Sequence, residues 1–262
     1  MLQRVETQPR DFEPYREWVN GETLRELQRL ADRLRGLKVG HVNATSRGGG
    51  VAEILRSLVP LMNGLGLRTD WYCIAANGAF FQVTKNIHNS LQGGSWRFDA
   101  QTHETFLLQN RQIAAEIEKL DMDLWVVHDP QPCPIRVGML PFRQAIWHCH
   151  IDTSTPNPAV WNYLYRYLQG YDRLVFCLPE YVNGSAPSER VRFLRPAIDP
   201  LTVKNHPLPK SKAKEILAGL GIDPDRPLIS QIARFDPWKD PAGVIEAYRR
   251  AVDIAPDYPG AH

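Results

Sequence analysis

The stretch that decides the fold reads Lys38-Val-Gly-His-Val-Asn43, then Ala44-Thr-Ser-Arg-Gly-Gly-Gly50, then Val51-Ala-Glu53. Its first six residues have the character of a short buried strand, and an apolar helical pattern begins at Val51. The consecutive glycines let the backbone turn sharply between the two elements. A strand that enters a helix through such a turn begins a βαβ unit, and it predicts a parallel sheet.

The same alternation of strands and helices continues along the chain. Strands are predicted at residues 38–43, 69–76, 123–128, 144–149, 172–178 and 191–195. Helices are predicted at residues 21–35, 51–65, 78–91, 102–120 and 158–169. Strands that alternate with helices form parallel sheets covered on both faces. We therefore expect an α/β fold built on a Rossmann-like sheet.

A proline-rich segment divides the chain into two parts. Residues 1–195 are predicted to form a Rossmann-like domain, whose first 20 residues are a polar arm packed on the surface. Residues 196–210 are predicted to be a linker, and residues 211–262 the start of a second, incomplete domain.

The second part contains few predicted elements. These are a helix at 211–219, a strand at 228–233 and a helix at 241–255. One strand and two helices cannot bury a core alone. The last helix also has an apolar face that includes Val244 and Tyr248, so we expect it either to form a homodimer or to fold back on the first domain.

Composition excludes several classes of function. The 262 residues are 43% hydrophobic and carry a net charge of +2, which is typical of a globular chain without a nucleic-acid footprint. The longest apolar runs are too short to cross a bilayer, and the charged N-terminus does not resemble a signal peptide. The four scattered cysteines lack C-x-x-C spacing, so we expect reduced thiols and a cytoplasmic protein.

Unusual residues follow the predicted strands, where open α/β sheets bind their ligands. Gly48, Gly49 and Gly50 end the first such loop and lead into a helix, whose first N–H groups can bind an anion. The stretch is neither a G-x-G-x-x-G motif nor a P-loop. It either binds a phosphate group or serves only as a tight turn between strand and helix.

Histidines end two further strands. His128 closes the strand at 123–128 and is followed by Asp129 and Gln131. A histidine at either this strand end or the next one could be a general acid or base, or could have only a structural role.

The strand at 144–149 leads into a second polar stretch. His148, His150 and Asp152 would share one face if the strand continued. Such a trio could ligate a metal. Hydrogen bonding to a sugar or to a neighbouring loop is the favoured interpretation, because no second cluster has the spacing of metal ligands.

Two cations flank the loop after the predicted strand at 228–233. Arg234 ends the strand, and Lys239 comes directly before Asp240-Pro241, which is typical of a helix N-terminus. Two cations and a helix dipole that converge in this way would neutralise a diphosphate. The alternative is a solvated loop with an incidental salt bridge.

Four motifs together resemble one known family. They are Gly-Gly-Gly-Val-Ala-Glu at 48–53, His-Asp-Pro-Gln-Pro at 128–132, Trp-His-Cys-His-Ile-Asp at 147–152 and Arg-Phe-Asp-Pro-Trp-Lys-Asp-Pro at 234–241. In this order they resemble the trehalose-forming branch of the retaining glycosyltransferases of family 4, which contains a trehalose glycosyltransferring synthase and trehalose phosphorylase. The resemblance covers nearly the whole chain.

The resemblance implies a GT-B fold, in which two Rossmann-like domains enclose the active site. The donor would be ADP- or UDP-glucose, the acceptor glucose, and the product trehalose with retained anomeric configuration. The family needs no metal or other cofactor, because positive side chains stabilise the leaving diphosphate. No nucleic-acid or membrane partner is implied.

The resemblance also implies roles for individual residues. Arg234 and Lys239 would bind the donor phosphates, and Gly48–Gly50 would approach the diphosphate and the transferred sugar. The remaining candidates would lie near the sugars, the last two on the acceptor side: His128, Asp129, Gln131, His150 and Asp152. No protein nucleophile is assigned.

One part of the family pattern does not occur in this sequence. Members of the family continue beyond this length and carry a glutamate pair with E-x7-E spacing near the donor. Because transfer depends on positioning donor and acceptor between two domains, we expect little or no activity from this chain alone. The alternatives are an enzyme like trehalose phosphorylase, which uses free phosphate, and a stand-alone sugar-binding domain.

Overall fold

The computed structural model describes residues 1–226, 228–233, 235 and 237–254. These residues form two compact units. The first extends from Met1 to Thr202, and the second begins at Val203.

The first unit is built on a seven-stranded sheet with the order β1-β3-β2-β4-β5-β6-β7. Its strands are β1 Leu2–Val5, β2 Lys38–Asn43, β3 Arg68–Ile74, β4 Leu124–His128, β5 Gln144–Cys149, β6 Arg173–Phe176 and β7 Val191–Phe193. All neighbouring strands are parallel except β1 and β3. The predicted Rossmann-like sheet is confirmed.

Five helices of the first unit connect these strands. They are α1 Gly21–Arg33, α2 Gly50–Gly64, α3 Gly78–Leu91, α4 Ala100–Ile117 and α5 Pro158–Leu168. Short 3-10 helices span Glu13–Trp18, Cys133–Gly138 and Pro179–Tyr181. Side chains of asparagine or aspartate cap α1, α3, α4 and α5 by accepting hydrogen bonds from first-turn N–H groups. Among the described residues, no helix is long and apolar enough to cross a membrane.

Each face of the sheet buries its own apolar cluster. The larger core lies between the sheet and helices α3, α4 and α5, and it includes Trp125 and Trp147. On the opposite face, α2 packs its apolar stripe against Trp71 and Cys73 of β3. Gly40 of β2 is required by the larger core, because a Cβ there would lie 2.5 Å from the Trp125 ring.

The N-terminal segment differs from the predicted polar arm. Leu2–Val5 forms the antiparallel edge strand β1 beside β3. Arg10 donates a hydrogen bond to the Tyr15 hydroxyl at 2.9 Å and forms an ion pair with Asp199, which is largely buried. The Tyr15 hydroxyl also bonds to Asp199 at 3.1 Å. These contacts fasten the arm to the segment that follows β7.

The second unit contains two α-helices, α6 Lys210–Gly219 and α7 Pro241–Ile254, and 3-10 turns at Val203–Asn205 and Pro237–Lys239. The predicted strand at 228–233 is wrong, because these described residues have no strand conformation. Ile229 and Ile232 remain exposed. A strand is stable only when a neighbouring strand satisfies its backbone groups, and the described part of this unit offers none.

Candidate functional site

The site candidates of the first unit gather where the strand order changes direction. After β2 the chain moves outward to β3, and then it returns to the other side of β2 as β4. The carboxyl ends of β2 and β4 therefore border a crevice, which is the usual ligand position in open α/β sheets. The glycine loop follows β2, and the His128-Asp129 turn follows β4.

The glycine loop connects β2 to the start of α2. Gly48 and Gly49 have φ angles of 69° and 83°, which lie in the left-handed region that favours glycine. Gly49 is the N-cap of α2, and no side chain caps this helix. A Cβ built on any of the three glycines would have no neighbour within 4 Å. The glycines therefore border open space, and the first turn of α2 has no side-chain cap, as is typical of anion-binding helix starts.

The side chains before the glycines hold the loop in place. Asn43 donates to the Thr45 carbonyl at 2.7 Å, and its amide oxygen accepts from the Trp71 indole at 2.8 Å. The Arg47 N–H donates to the Thr45 hydroxyl at 3.1 Å. Arg56 of α2 donates to the Ser46 carbonyl at 2.8 Å. The loop is fixed to β2, β3 and α2 before any ligand arrives.

Asp129 occupies a strained turn directly after β4. Its φ angle is 64°, although it is not a glycine, and such strain is concentrated at functional sites. Its N–H donates to the His148 carbonyl at 2.9 Å, and its carboxylate accepts from the His150 N–H at 2.8 Å. The Trp147 indole donates to its carbonyl at 2.9 Å. Three residues of the β5 end thus hold Asp129 in this conformation.

Burial of the Asp129 carboxyl raises its pKa to about 6, although the hydrogen bond from the His150 N–H acts in the opposite direction. A carboxyl with a pKa near neutrality can accept a proton from a sugar hydroxyl and later release it. Raised pKa values of this kind are more frequent at functional sites than elsewhere.

Four histidines form a row across three strands, which we call the histidine row: His41 of β2, His128 of β4, and His148 and His150 at the end of β5. His41 Nδ1 lies 3.0 Å from His128 Nε2, and His128 Nδ1 lies 2.9 Å from His150 Nε2. The rings of His148 and His150 have centroids 3.9 Å apart. The row lies on the sheet face that α2 covers.

Burial lowers the pKa of every member of the histidine row. The pKa values of His41 and His148 fall to about 3, that of His150 falls to about 4, and that of His128 lies well below its usual value. All four rings are therefore neutral at neutral pH. A neutral imidazole has one donor and one acceptor nitrogen, so it can hydrogen-bond a sugar hydroxyl in either sense.

The expected trio of His148, His150 and Asp152 is rearranged in the structure. Strand β5 ends at Cys149, so the alternation that would have aligned Asp152 with His148 stops. The Asp152 carboxylate instead accepts from the Ser154 N–H at 2.8 Å in a local turn. His128 takes its place beside His148 and His150, because β4 and β5 are neighbours with His128 opposite His148.

Gln131 has different surroundings, and one residue of the site was not expected. The Gln131 carbonyl accepts from the side chain of Asn110 in α4 at 3.2 Å, and its buried amide oxygen has no hydrogen-bond partner among the described residues. His41 was not among the candidates expected from the sequence. Alternation within β2 could have identified it, since His41 and Asn43 are polar residues on one face of a buried strand.

The cations of the second unit can be described only in part. Arg234 lies outside the described residues. Lys239 is exposed and ends a 3-10 turn, where its carbonyl accepts from the Gln231 side chain at 2.5 Å. The next residue, Asp240, caps α7 by accepting from the Gly243 N–H at 3.0 Å. Lys239 therefore lies directly before a capped helix start, as its sequence position predicted.

Comparisons with known proteins agree with the motifs. The family model for the N-terminal domain of trehalose synthase matches residues 41–183, which is more than half of the chain. A trehalose synthase from Rubrobacter xylanophilus is 43% identical over 254 residues, 95% of this chain and 61% of that protein. One from Thermococcus litoralis is 41% identical over 248 residues, 94% of this chain and 60% of that protein.

More distant relatives share the same region. A trehalose phosphorylase from Grifola frondosa is 30% identical over 276 residues, 92% of this chain and 38% of that protein. The crystal structure of an α,α-trehalose 6-phosphate synthase from Burkholderia multivorans aligns with a TM-score of 0.55 at 16% identity, covering 86% of this chain and 63% of that one. This likeness supports the fold alone.

The chain spans about 60% of the length of the trehalose synthases that it matches. The matched region contains the glycine loop, the Asp129 turn and the histidine row, so these features lie within the part described by the family model. The resemblance drawn from the motifs is confirmed: this chain belongs to the family of trehalose synthase N-terminal domains.

Proposed function

We propose that this chain supplies the acceptor-side domain of a retaining glycosyltransferase, which makes trehalose from a nucleotide-activated glucose and glucose. The observation that carries the proposal is that the glycine loop and the Asp129 turn follow the neighbouring strands β2 and β4, at the point where the strand order reverses. The glycine loop offers N–H groups suited to a phosphate. The Asp129 turn and its neighbouring histidines offer a carboxyl and neutral imidazoles suited to sugar hydroxyls.

The donor phosphates are assigned to the glycine loop and to Lys239 with Arg234. The uncapped start of α2 supplies backbone N–H groups, and its dipole favours an anion. A diphosphate leaving group needs positive charge in the transition state, and a lysine and an arginine provide it without a metal. ADP-glucose and UDP-glucose share the diphosphate that these residues would bind, so the assignment does not choose between the two donors.

The sugars are assigned to the Asp129 turn and the histidine row. The strained Asp129 turn holds one carboxylate oxygen against the His150 N–H, and the same carboxyl can accept from a sugar hydroxyl. His150 is neutral and has a second ring nitrogen that can bind a further hydroxyl group, whereas both ring nitrogens of His128 face other histidines and hold His150 in place. Gln131 and Asp152 complete the candidate set. Orientation of the acceptor hydroxyl toward the donor would be the main contribution of this domain.

We also propose that the 262-residue chain by itself has little transferase activity. The trehalose synthases that it matches are longer, and the C-terminal remainder is expected to contribute to the nucleotide pocket. A chimera in which this chain is continued by the corresponding remainder of the Rubrobacter xylanophilus protein tests both statements. The chain and the chimera would each be incubated with glucose and either ADP-glucose or UDP-glucose, and trehalose would be measured by chromatography.

We expect trehalose from the chimera and little from the chain alone. Asp129→Asn in the chimera should lower the rate by about 10²-fold or more, because the amide cannot accept the proton of a sugar hydroxyl. The control is Asp99→Asn, a helix cap remote from the crevice in sequence that should leave the rate unchanged. A folded chimera without transferase activity on either donor would refute the proposal.

The second candidate is a phosphorylase, favoured by the 30% identity to the Grifola frondosa enzyme. The same chimera would be incubated with trehalose and inorganic phosphate, and release of glucose and glucose 1-phosphate would be measured. Phosphorolysis without transfer from either nucleotide sugar would favour the phosphorylase. A chain that binds trehalose or glucose in calorimetry, but whose chimera has neither activity, would favour a sugar-binding domain.

A further inference from the structure

We propose that His128, His148 and His150 form a binding site for a divalent transition-metal ion of the zinc class. Each of the three imidazoles offers one nitrogen, and these atoms all lie within 4.8 Å of one another. Among the described residues, this is the only such group of three. The proposal concerns the 262-residue chain itself and does not depend on any transferase activity.

The backbone of the sheet brings the three ligands together. His128 and His148 are opposite each other in the parallel pairing of β4 and β5, so their side chains leave the same face. His150 is two residues further along, and its N–H is held by the Asp129 carboxylate. The three Cα positions are therefore fixed by hydrogen bonds of the sheet and of the Asp129 turn.

The three rings must shift to reach the spacing of a metal site. With metal–nitrogen bonds of about 2.0–2.1 Å, the nitrogens of a tetrahedral site lie ~3.3 Å apart. His128 Nδ1 and His150 Nε2 are now 2.9 Å apart, so a bound ion would separate them by about 0.4 Å. All the ligand nitrogens lie within 4.8 Å of one another, so the His148 nitrogen would move inward by no more than about 1.5 Å to reach that spacing.

His41 provides the hydrogen bond that a metal-binding histidine usually makes through its other ring nitrogen. Its Nδ1 lies 3.0 Å from His128 Nε2. When His128 Nε2 carries the proton and donates to His41, Nδ1 of His128 becomes the lone-pair nitrogen that faces His150. A hydrogen bond of this kind fixes the tautomer and the ring orientation of a ligand.

His148 supplies the second observation that indicates a ligand. Its ring is more than nine-tenths buried, and its Nε2 has no hydrogen-bond partner among the described residues. A buried polar nitrogen without a partner costs free energy, and coordination to an ion would remove this cost. The ring centroids of His148 and His150 are 3.9 Å apart with the ring planes tilted by 33°, so the two imidazoles are neighbours at the site.

The ligand set selects the class of ion. Imidazole nitrogens suit zinc, copper, nickel and cobalt, whereas magnesium and calcium prefer oxygen ligands. The adjacent Asp129 carboxylate is engaged by the His150 N–H, and the thiol of Cys149 leaves the opposite face of β5. Three protein ligands leave a fourth position open, which is typical of a site that admits a small ligand.

The test is titration of the metal-stripped, untagged chain with ZnCl2 by calorimetry and with CoCl2 by visible absorption. We expect one ion per chain and the intense visible bands of four-coordinate cobalt. His148→Gln should weaken binding at least ~10-fold, since removal of an outer-shell contact alone weakens binding by this amount. The matched control is His103→Gln, which removes a histidine that packs on Tyr163 instead.

X-ray absorption of the zinc-loaded parent chain provides a readout that does not require a folded variant. Three or more imidazole nitrogens at about 2.0 Å from zinc would support the site. Fewer imidazole ligands than three, a binding stoichiometry below one, or equal affinities of His148→Gln and His103→Gln would each overturn it.

A bound ion has a consequence that rests on the proposed function. It would occupy three imidazoles of the histidine row, which is assigned to the sugars, so zinc should inhibit trehalose formation by the chimera, and a chelator should reverse the inhibition. Metal binding without inhibition would contradict the sugar assignment and leave the metal site intact. Inhibition that persists in His148→Gln would contradict the link between the two.

Discussion

Gly49 and Gly50 are adjacent, but a methyl group added at each should have opposite effects on stability. Gly49 has φ 83° and ψ 157°, a combination that only glycine adopts easily, so Gly49→Ala should cost about 1–3 kcal/mol. Gly50 is the first residue of α2, and a Cβ there has no neighbour within 4 Å. Gly50→Ala should therefore stabilise the chain by about 0.4–1 kcal/mol, because alanine has less freedom when unfolded.

The assay is urea denaturation followed by tryptophan fluorescence, with Trp71, Trp125 and Trp147 buried in the first unit as reporters. The midpoint should fall for Gly49→Ala and stay or rise for Gly50→Ala, with unchanged slopes. Equal midpoints for the two variants, or a lower midpoint for Gly50→Ala, would refute the argument from backbone conformation.

The Gly50→Ala variant also distinguishes an effect on binding from an effect on stability. In the chimera, the methyl group of Gly50→Ala would occupy the open space beside the N–H groups of α2, so it should weaken binding of the donor while the fold remains intact. A Gly50→Ala chimera with unchanged apparent affinity for the nucleotide sugar would contradict the assignment of this loop to the phosphates.

Three further changes test the fold. Gly40→Ala should lower the free energy of unfolding by about 1–3 kcal/mol, because the added methyl group overpacks against the Trp125 ring. Gly184→Ala, whose Cβ has no neighbour within 4 Å, should have little effect, and thermal denaturation measures both. Asn77→Ala should cost about 1 kcal/mol through loss of the α3 cap, and Asn77→Asp should retain it; equal melting temperatures would contradict the cap. Asp199→Ala should release the arm held through Arg10 and speed tryptic cleavage there, and unchanged cleavage would argue against that contact.

The parallel strands and their helices were predictable because their signals are local. Each strand is a short apolar run, and each helix has an apolar stripe, so the hydrophobic pattern identifies both. The predicted helix at 78–91 agrees with α3, and the predicted strand at 38–43 agrees with β2. The caps and the glycine turn are also local, since a few neighbouring residues determine them.

Strand formation at the edges was not predictable in the same way. Leu2–Val5 is short and half polar, and it becomes a strand only because the edge of β3 is available to it. Residues 228–233 have a stronger apolar pattern and remain without a partner strand. Pairing depends on hydrogen bonds with a distant part of the chain, and the local pattern does not include that information.

The sequence by itself determined the fold class, the family motifs and the residues that follow each strand. Only the tertiary structure decided which of those residues meet. The order of β2, β4 and β5 replaced Asp152 by His128 in the cluster and added His41 behind it. The reason is physical: alternation fixes the face on which a side chain lies, but its neighbours on that face come from other strands, whose adjacency arises only when the sheet assembles.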